Sequence, residues 1–264
     1  MTLIITGTQK LDPDAAFYID RVQAADGQSL EEGVKLAYST FVSDCKTDGI
    51  WDAIKASCIL AGARTTNGAL VPLVGAAPDP YNFDLVGDSD YDRKTGLKGN
   101  GSTKYLDSNT NNNSLSQDDN SLGVFVDTAE SSSDAAYIGI GSGSITGSNH
   151  IGTSTIGAFL FFRSMSANAD TLLGAQSSTG FIGLDRSQSS QFTHRANGQS
   201  ILVNQTSQTP ATGNIYVFGR NVSDALDIPT DGRLQFYFIG ESLDLAALDT
   251  RVTTLMSDLA AAIP

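Results

Sequence analysis

Three aspartates alternate along residues 87–92, at Asp88, Asp90 and Asp92. Carboxylates spaced by two residues in an extended loop can direct their oxygen atoms to one cation, and Ca²⁺ takes six to eight oxygen ligands. The spacing lacks the glycine and the closing glutamate of an EF-hand loop. The segment predicts a calcium site at these three aspartates, with a solvated acidic linker as the alternative.

Two tyrosines accompany this acidic segment. Tyr91 lies between two of the aspartates, and Tyr105 comes just before an asparagine-rich stretch at residues 109–113. A sugar ring packs on an exposed aromatic face, and neighbouring carboxylates and amides can bind its hydroxyl groups. We therefore expect Tyr91 and Tyr105, together with the aspartates, to bind a glycan or calcium. Packing in the core or in an interface is the alternative for both rings.

Carboxyl groups suited to catalysis are scarce. The four glutamates of the chain are Glu31, Glu32, Glu130 and Glu241. Glycoside hydrolysis uses two carboxyl groups, about 5–10 Å apart, that flank the scissile bond. None of the predicted strands carries two alternate acids on one face. The sequence therefore predicts no catalytic residues and a protein that is not an enzyme. The alternative is an aspartate pair that only folding brings together.

Cysteine and histidine are also rare. The chain has two cysteines, Cys45 and Cys58, and two histidines, His150 and His194. No pair among them has the spacing of a zinc site. Both cysteines are predicted to be small core residues, and a disulfide would form only if their two predicted helices met. Calcium is therefore the one metal or cofactor that the sequence predicts.

The charge balance excludes several partners. The 264 residues carry a formal net charge of −13, with a sequence pI near 4.3. Phosphates repel such a chain, so we expect no nucleic-acid partner. The apolar start at residues 2–5 is too short for a secretory signal, and no apolar run reaches the ~18 residues of a membrane span. The sequence predicts no membrane insertion.

The first 75 residues have helical patterns. Asp12 followed by Pro13 is typical of a helix start, and Ser29 and Glu32 have the spacing of a capping box. A third short helix is predicted from Trp51 and Ile54 to Cys58. These helices are too small to form a core alone. Residues 1–75 are therefore predicted to be a helical docking and assembly region.

Residues 76–264 have the patterns of a β protein. About ten short segments of β-forming residues are separated by clusters of Gly, Asn, Asp, Ser and Pro. Asn197-Gly198 predicts a tight hairpin turn. Strands at this spacing predict a sandwich or a barrel.

A final helix is predicted over residues 243–262, with Ser242 as its cap. Its apolar residues recur at helical spacing, at Leu245, Leu248, Val252, Leu255 and Leu259. This stripe can cover the sandwich of the same chain. Alternatively, it can pair with copies of itself, although it is too short to predict a coiled coil.

Several segments together resemble a laminin-G-type, concanavalin-A-like jelly roll. They are the Gly-x-Gly-Ser turn before a tyrosine strand within residues 93–108, the Asn197-Gly198 hairpin, the strand at residues 215–221, and the strand-to-helix switch at residues 240–245. The resemblance implies a mainly β sandwich with a small helical N-terminal region and a C-terminal helix. It also implies a calcium ion on the rim, as this family often carries.

Nearly the whole chain further resembles virion-associated proteins of tailed phages, especially marine and cyanobacterial ones. Residues 49–64 and 240–245 carry the resemblance most clearly. It implies a non-enzymatic virion structural protein, such as a tail fibre, a baseplate component or a capsid decoration protein. Its partners would be other virion proteins and host surface glycans. Its location would be the phage particle, after assembly in the host cytoplasm.

Two functions from other classes remain as alternatives. One is a glycan hydrolase on a jelly-roll fold, and the other is a free lectin-like binding module. A homo-oligomer is expected in the virion, because closed symmetric assemblies are the usual way to fill symmetric positions. A trimer suits a fibre or a spike.

Overall fold

The computed structural model describes residues 10–131, 134–141, 146–154, 158–175 and 178–264. Two sheets of mainly antiparallel strands stack face to face, and helices cover one of them. Within these residues, no helix is both long enough and apolar enough to cross a membrane.

The helices and strands follow one another in chain order. The helices are α1 (Pro13–Asp26), α2 (Glu32–Thr47), α3 (Thr66–Ala69) and α4 (Leu245–Ala262). The first nine strands are β1 (Ile54–Ile59), β2 (Asp79–Tyr81), β3 (Tyr91–Asp92), β4 (Gly96–Lys98), β5 (Tyr105–Asn111), β6 (Asn120–Thr128), β7 (Ala135–Gly141), β8 (Ser148–Ser154) and β9 (Phe159–Ser166). The others are β10 (Asp170–Leu173), β11 (Gly180–Gln188), β12 (Gln191–Ala196), β13 (Gln199–Asn204), β14 (Asn214–Val217), β15 (Arg220–Val222), β16 (Ala225–Asp227) and β17 (Arg233–Gly240).

Each sheet mixes strands from distant parts of the chain. Sheet A has the order β13-β12-β11-β6-β17-β4-β3, and β1 pairs with β17. Sheet B has the order β10-β9-β8-β7-β14-β5-β2, and the β15–β16 hairpin joins it beside β7. The core lies between the sheets. It includes Val124 and Leu184 from sheet A and Ile151 and Phe162 from sheet B, all fully buried. The predicted mainly β sandwich is confirmed.

A second apolar cluster lies on the outer face of sheet A. Phe181, Phe236 and Phe238 point away from the sandwich core and pack against the helices. The rings of Phe41 and Phe236 meet edge to face, 5.9 Å apart between centroids. We call this cluster, with α1 to α4, the helical layer. It buries the apolar stripe of α4 against its own chain, as predicted.

Two local predictions are confirmed. Asp12 caps α1 by accepting hydrogen bonds from the N–H groups of Asp14 and Ala15, and Pro13 is the first helical residue. Asn197 and Gly198 join β12 to β13 with φ values of 52° and 72°. Positive φ at both central residues is what a type I′ hairpin turn requires.

The predicted third helix is wrong. Residues 51–53 form one 3₁₀ turn, and β1 follows at once. Ala56 and Cys58 point into the sandwich core, whereas Ile59 points into the helical layer. A strand buried on both faces lacks polar alternation. A register shift between Ile54 and Ala56 places Ile54 in the helical layer and Cys58 in the sandwich core, so the i, i+4 spacing of Ile54 and Cys58 did not mark a shared helical face.

Two predicted helix caps are also wrong. Residue 31 occupies the N-cap position of α2 without a side-chain hydrogen bond, so Ser29 does not form a capping box. Asp244 caps α4 by accepting from the N–H groups of residues 246 and 247. Ser242 instead donates its hydroxyl to Asp185. The helices therefore begin two residues later than these caps predict, at Glu32 and Leu245.

The two cysteines are buried and free. Cys45 lies in the helical layer and Cys58 in the sandwich core, so β17 separates the surroundings of their side chains. The Cys58 Sγ lies 3.4 Å from the hydroxyl of Tyr237. The prediction that both are small core residues is confirmed.

One arginine is fully buried inside the fold. Arg186 on β11 donates from Nε and Nη2 to the carbonyl oxygen of Ser164 on β9, at 3.1 and 2.9 Å. Its Nη1 lies 3.1–3.2 Å from four more carbonyl oxygens, those of Gln188, Ser189, Gln191 and Gln205. The guanidinium therefore links the two sheets through backbone acceptors.

Candidate functional site

The predicted acidic site is divided among three different structural roles. Asp88 accepts hydrogen bonds from the N–H and the hydroxyl of Thr66, at 2.7 and 2.6 Å, and so holds the start of α3. Asp92 accepts from the N–H groups of Lys94 and Thr95, both at 2.9 Å. These hydrogen bonds lower the pKa of Asp92, although burial opposes them. Both carboxylates serve local turns.

The third predicted ligand has a cation of its own. Asp90 is largely buried and forms an ion pair with Lys104. It also accepts from the N–H of Asp84 at 2.8 Å. Among the described residues, no group of three or more His, Cys, Asp or Glu side chains is placed to hold a metal ion. The calcium site therefore stays a prediction that this arrangement does not favour.

The two predicted tyrosines have different surroundings. Tyr91 donates its hydroxyl to the carbonyl oxygen of Ala63 at 2.8 Å and packs against both apolar clusters. Tyr105 lies on β5, on the outer face of sheet B, where it meets two more tyrosines. Of the predicted site residues, Tyr105 is therefore the one that lies on an open sheet face.

Three tyrosines stack side by side on that face. The rings of Tyr81 and Tyr105 are parallel within 2°, with centroids 4.4 Å apart. Tyr216 follows on the other side of Tyr105 at 4.7 Å. Exposure falls along the row: Tyr81 is 43% exposed, Tyr105 is half-buried, and Tyr216 is 5% exposed. We call this row the tyrosine stack.

Two carboxylates lie beside the tyrosine stack. Asp79 on β2 and Asp107 on β5 are directly opposite each other in the strand register. Residues that are paired in this way have Cβ atoms about 5 Å apart on one face. Asn109 is hydrogen-bonded to both, through its side chain to Asp79 at 3.1 Å and through its N–H to Asp107 at 2.9 Å. The remaining carboxylate lone pairs can accept from ligand hydroxyls.

A row of paired residues runs from the tyrosine stack across sheet B. Tyr216 on β14 pairs with Gly139 on β7, Gly139 pairs with His150 on β8, and His150 pairs with Arg163 on β9. Directly paired residues project to the same face. Gly139 is required here, because a Cβ at this position would lie 2.0 Å from the His150 Cβ. The absence of a side chain at Gly139 therefore lets His150 pack closely against β7.

Beyond Gly139 the face forms a cleft of about 370 Å³. Its lining includes His150, Phe161, Arg163 and Arg220, together with Asp134, Ser154, Phe159 and Thr171. The volume is at the lower end of the ~300–1,000 Å³ that is typical of ligand pockets. We call it the arginine cleft.

His150 lines the arginine cleft as a fully buried side chain. Its ring meets the ring of Phe161 edge to face, at 5.1 Å between centroids. Neither ring nitrogen has a hydrogen-bond partner of normal geometry. Burial, followed by the charges of Arg220 and Arg163, holds the pKa of His150 well below its usual value, with a small opposing effect of the Ile140 backbone. The imidazole is therefore neutral near pH 7.

The two arginines of the cleft differ in their partners. Arg220 donates from Nε to the carboxylate of Asp227 at 2.8 Å. Arg163 donates to the carbonyl oxygen of Ala167, and it has no carboxylate within ion-pair distance in the described part of the chain. Burial and the charge of Arg220 lower the pKa of Arg163. The positively charged guanidinium groups of Arg163 and Arg220 therefore share a partly desolvated space.

Sequence reasoning identified one residue of this face, Tyr105, and missed the arginine cleft. Arg163 and Arg220 lie 57 positions apart in the chain and have no local motif. Their proximity depends on the order of β9, β8, β7 and β15 in sheet B. The alternation of Phe161 and Arg163 along β9 was the only signal of a strand face that carries both aromatic and cationic groups.

No family model matches the chain, and the search of curated proteins found no match. Solved structures with similarity include the carbohydrate-binding module of a Ruminococcus gnavus sialidase bound to α2,3-sialyllactose, 14% identical over 50% of this chain and 81% of that chain, with a TM-score of 0.40. The NanB sialidase from Streptococcus pneumoniae is 13% identical over 58% of this chain and 27% of that chain, with a TM-score of 0.42.

A mutant of HCR/D is 11% identical over 77% of this chain and 52% of that chain, with a TM-score of 0.47. Identities of 11–14% and TM-scores of 0.40–0.47 concern the arrangement of strands and do not bear on ligand or activity. The function has to be argued from the residues of sheet B.

Proposed function

We propose that this chain is a non-enzymatic glycan-binding module, and that the outer face of sheet B is its binding surface. The observation that supports it most is the tyrosine stack, in which Tyr81 is 43% exposed and is backed by Tyr105. The other sheet is unsuited to this role, because the helical layer covers its outer face.

The chemistry of the face suits a sugar. The C–H groups on one side of a pyranose ring are apolar and weakly positive, and the face of an aromatic ring is negative. Tyr81 lies on the edge strand β2, so its outer ring face is open to such a contact. Asp79 and Asp107 lie within reach to accept hydrogen bonds from ring hydroxyls. A preformed stack also lowers the entropy lost on binding.

We further propose that the protein is a structural component of a phage particle, as a tail fibre, baseplate piece or capsid decoration. Only the sequence resemblance supports this assignment. Other virion proteins would be its partners, and host surface glycans would be the ligands of sheet B. Mass spectrometry of purified particles tests it, and absence of the chain from intact particles would contradict it.

Replacement of Tyr81 by alanine tests the binding proposal. On an array of bacterial surface glycans, Tyr81→Ala should reduce the affinity of the best ligand by at least about tenfold, because the open stacking face is lost. Phe17→Ala is the matched control: Phe17 is 65% exposed on α1, far from sheet B, and its removal should leave binding unchanged. Thermal unfolding of both variants checks that they fold.

Equal binding by the wild type and Tyr81→Ala would contradict the proposed surface. If no glycan on the array bound to the wild type, the proposed function itself would be wrong.

A glycan hydrolase is the second candidate, and one observation favours it. Asp79 and Asp107 form a cross-strand carboxylate pair beside the tyrosine stack, near the separation that retaining glycosidases use. Incubation of the protein with the glycan that it binds, followed by chromatography of the products, separates the two functions. Release of shorter sugars that disappears in Asp107→Asn would establish the hydrolase; an intact glycan supports the binding module.

A further inference from the structure

We propose that the arginine cleft binds the carboxylate of an acidic sugar, of the uronic acid type, within the glycan that lies along sheet B. This inference rests on the proposed glycan-binding function and adds the chemical class of the ligand. Three features of the described residues carry it: an arginine with no carboxylate within ion-pair distance, a buried imidazole with no hydrogen-bond partner of normal geometry, and an apolar wall.

The positive charge of the cleft is the first feature. Arg163 is half-buried, and among the described residues no carboxylate lies within ion-pair distance of its guanidinium. Arg163 lies in the field of Arg220, which lowers its pKa and thus makes its charged form less favourable. A ligand carboxylate between the two would relieve this repulsion and can accept two parallel N–H groups from a guanidinium.

The buried imidazole is the second feature. A polar group that is buried without a hydrogen bond is unfavourable, and neither nitrogen of His150 has a hydrogen-bond partner of normal geometry among the described residues. A neutral imidazole has one donor and one acceptor. A sugar hydroxyl can donate to one nitrogen, and a carboxylate or ring oxygen can accept from the other. His150 therefore has the hydrogen-bonding pattern that a uronic acid ring would complete.

One acidic residue in the lining of the cleft and one that pairs with Arg220 favour a ligand with a single negative charge. Asp227 is paired with Arg220, and Asp134 accepts from the hydroxyl of Ser154 at 2.7 Å. These two acids offset part of the positive charge and would repel a multiply charged phosphate or sulfate. Phe161 provides an apolar wall for the C–H side of a sugar ring. One carboxylate on a pyranose suits this combination better than a polyanion.

The position of the cleft is consistent with one continuous ligand. Tyr216, Gly139, His150 and Arg163 are neighbours on four successive strands. Three inter-strand spacings of about 4.8 Å each place the backbone of Arg163 roughly 14 Å from that of Tyr216. Gly139 adds no side chain to this row, and the His150 side chain packs closely against it. A short oligosaccharide can therefore contact the tyrosine stack and the arginine cleft together.

Tetragalacturonate and its fully methyl-esterified form are suitable probes, because they share one sugar skeleton and differ in charge. Titration calorimetry should show that the wild type binds the acid at least about tenfold more tightly than the ester. Arg163→Gln should remove most of this preference and change the affinity for the ester by less than about twofold. Arg163→Lys should give an intermediate affinity, because the ammonium keeps the charge but not the planar fork.

Lys94→Gln is the matched control, since it removes the same charge at an exposed position on the sheet A side and should leave both affinities unchanged. Added salt should weaken binding of the acid more than binding of the ester. Thermal unfolding checks each variant.

The outcomes separate this inference from the proposed function. If neutral glycans bind in a Tyr81-dependent manner while the acid binds no better than the ester, the acidic ligand is wrong and the glycan-binding function stands. If glycans of every kind fail to bind but free galacturonate binds through Arg163, the cleft is an anion site and the glycan function is wrong. If neither probe nor free galacturonate binds, both proposals are overturned.

Discussion

Many individual aspartates in this chain act as acceptors for their own backbone. Asp26 accepts from the N–H groups of Arg64 and Thr65, and Asp84 accepts from those of Val86 and Gly87. Asp88 and Asp92 do the same at other turns. A sequence shows where carboxylates are but not which backbone N–H groups they face. The alternating acids at residues 88–92 therefore had the pattern of an ion site, while Asp88 binds the start of α3, Asp90 pairs with Lys104 and Asp92 serves a local turn.

Asp185 gives the fold a pH dependence. Its carboxylate accepts from the N–H of Leu243 at 2.8 Å and from the hydroxyl of Ser242 at 3.1 Å, at the entry to α4. Burial raises its pKa to about 6, and the charges of Asp119 and Asp244 add to this. The native state thus binds this proton more tightly than the unfolded chain does. Its contribution to stability is full below pH ~4 and is lost as the pH rises through about 6.

Chemical denaturation of the wild type and of Asp185→Asn between pH 5 and 8 measures this contribution. The stability of the wild type relative to the variant should increase towards pH 5, by at most about 3 kcal/mol over the full titration. Burial lowers the pKa of both histidines, whose effects are common to the two proteins and cancel in the difference. A difference that is constant with pH, or that slopes the other way, would show that the carboxyl is not perturbed.

Strands and helices were predictable to different degrees. Three predictions depend on residues within one element, and they are confirmed. They are the start of α1 at Asp12 and Pro13, the Asn197-Gly198 turn and the apolar stripe of α4. β1 was missed because tertiary burial on both faces, rather than local pattern, makes it a strand. The rows that form the tyrosine stack and the arginine cleft depend on register between distant strands, for which a single sequence carries no local signal.

Arg186 joins elements that share no local sequence. Its guanidinium is fully buried and donates to carbonyl oxygens on β9, in the β11–β12 turn and after β13. We expect Arg186→Lys to lower the free energy of unfolding by more than about 2 kcal/mol, because one ammonium cannot replace the planar set of donors and leaves buried acceptors unpaired. Chemical denaturation measures the loss.

Arg251→Lys is the control for Arg186. Arg251 pairs with Asp44 and Asp48 on the solvent side of the helical layer, where ion pairs contribute little. Its replacement should change stability only slightly. Equal stability of Arg186→Lys and the wild type would mean that the carbonyl oxygens near residue 186 find other donors at little cost.

The whole molecule has two unlike sides. The helical layer closes the outer face of sheet A, and the outer face of sheet B carries the tyrosine stack and the arginine cleft. The mainly β sandwich with terminal helices followed from composition, turn residues and the resemblance. The sequence did not predict which sheet keeps an exposed outer face, because that depends on which sheet the helices cover. The division at residue 75 stays a prediction, and β1 within the first part pairs with β17 of the second.

We expect copies of this chain to associate with one another. β13 is an edge strand of sheet A, and Ile201 and Leu202 on it are 39% and 58% exposed. Such an edge is prone to pair with another chain. Light scattering at low micromolar concentration should give a multiple of 27.7 kDa, with three copies the expected number. Leu202→Lys should shift the mass towards one copy. A clean monomer of the wild type would contradict the homo-oligomer.

The position of residues 11 and 263 within the helical layer has a consequence for valency. Leu11 and Ile263 both pack in this layer, on the side opposite to the outer face of sheet B. Copies that are tethered through the helical layer would present their tyrosine stacks in one direction. A weak contact per copy then becomes strong attachment when several copies engage one surface, because each further contact is intramolecular. Affinity for a single glycan chain would understate the adhesion of such an array.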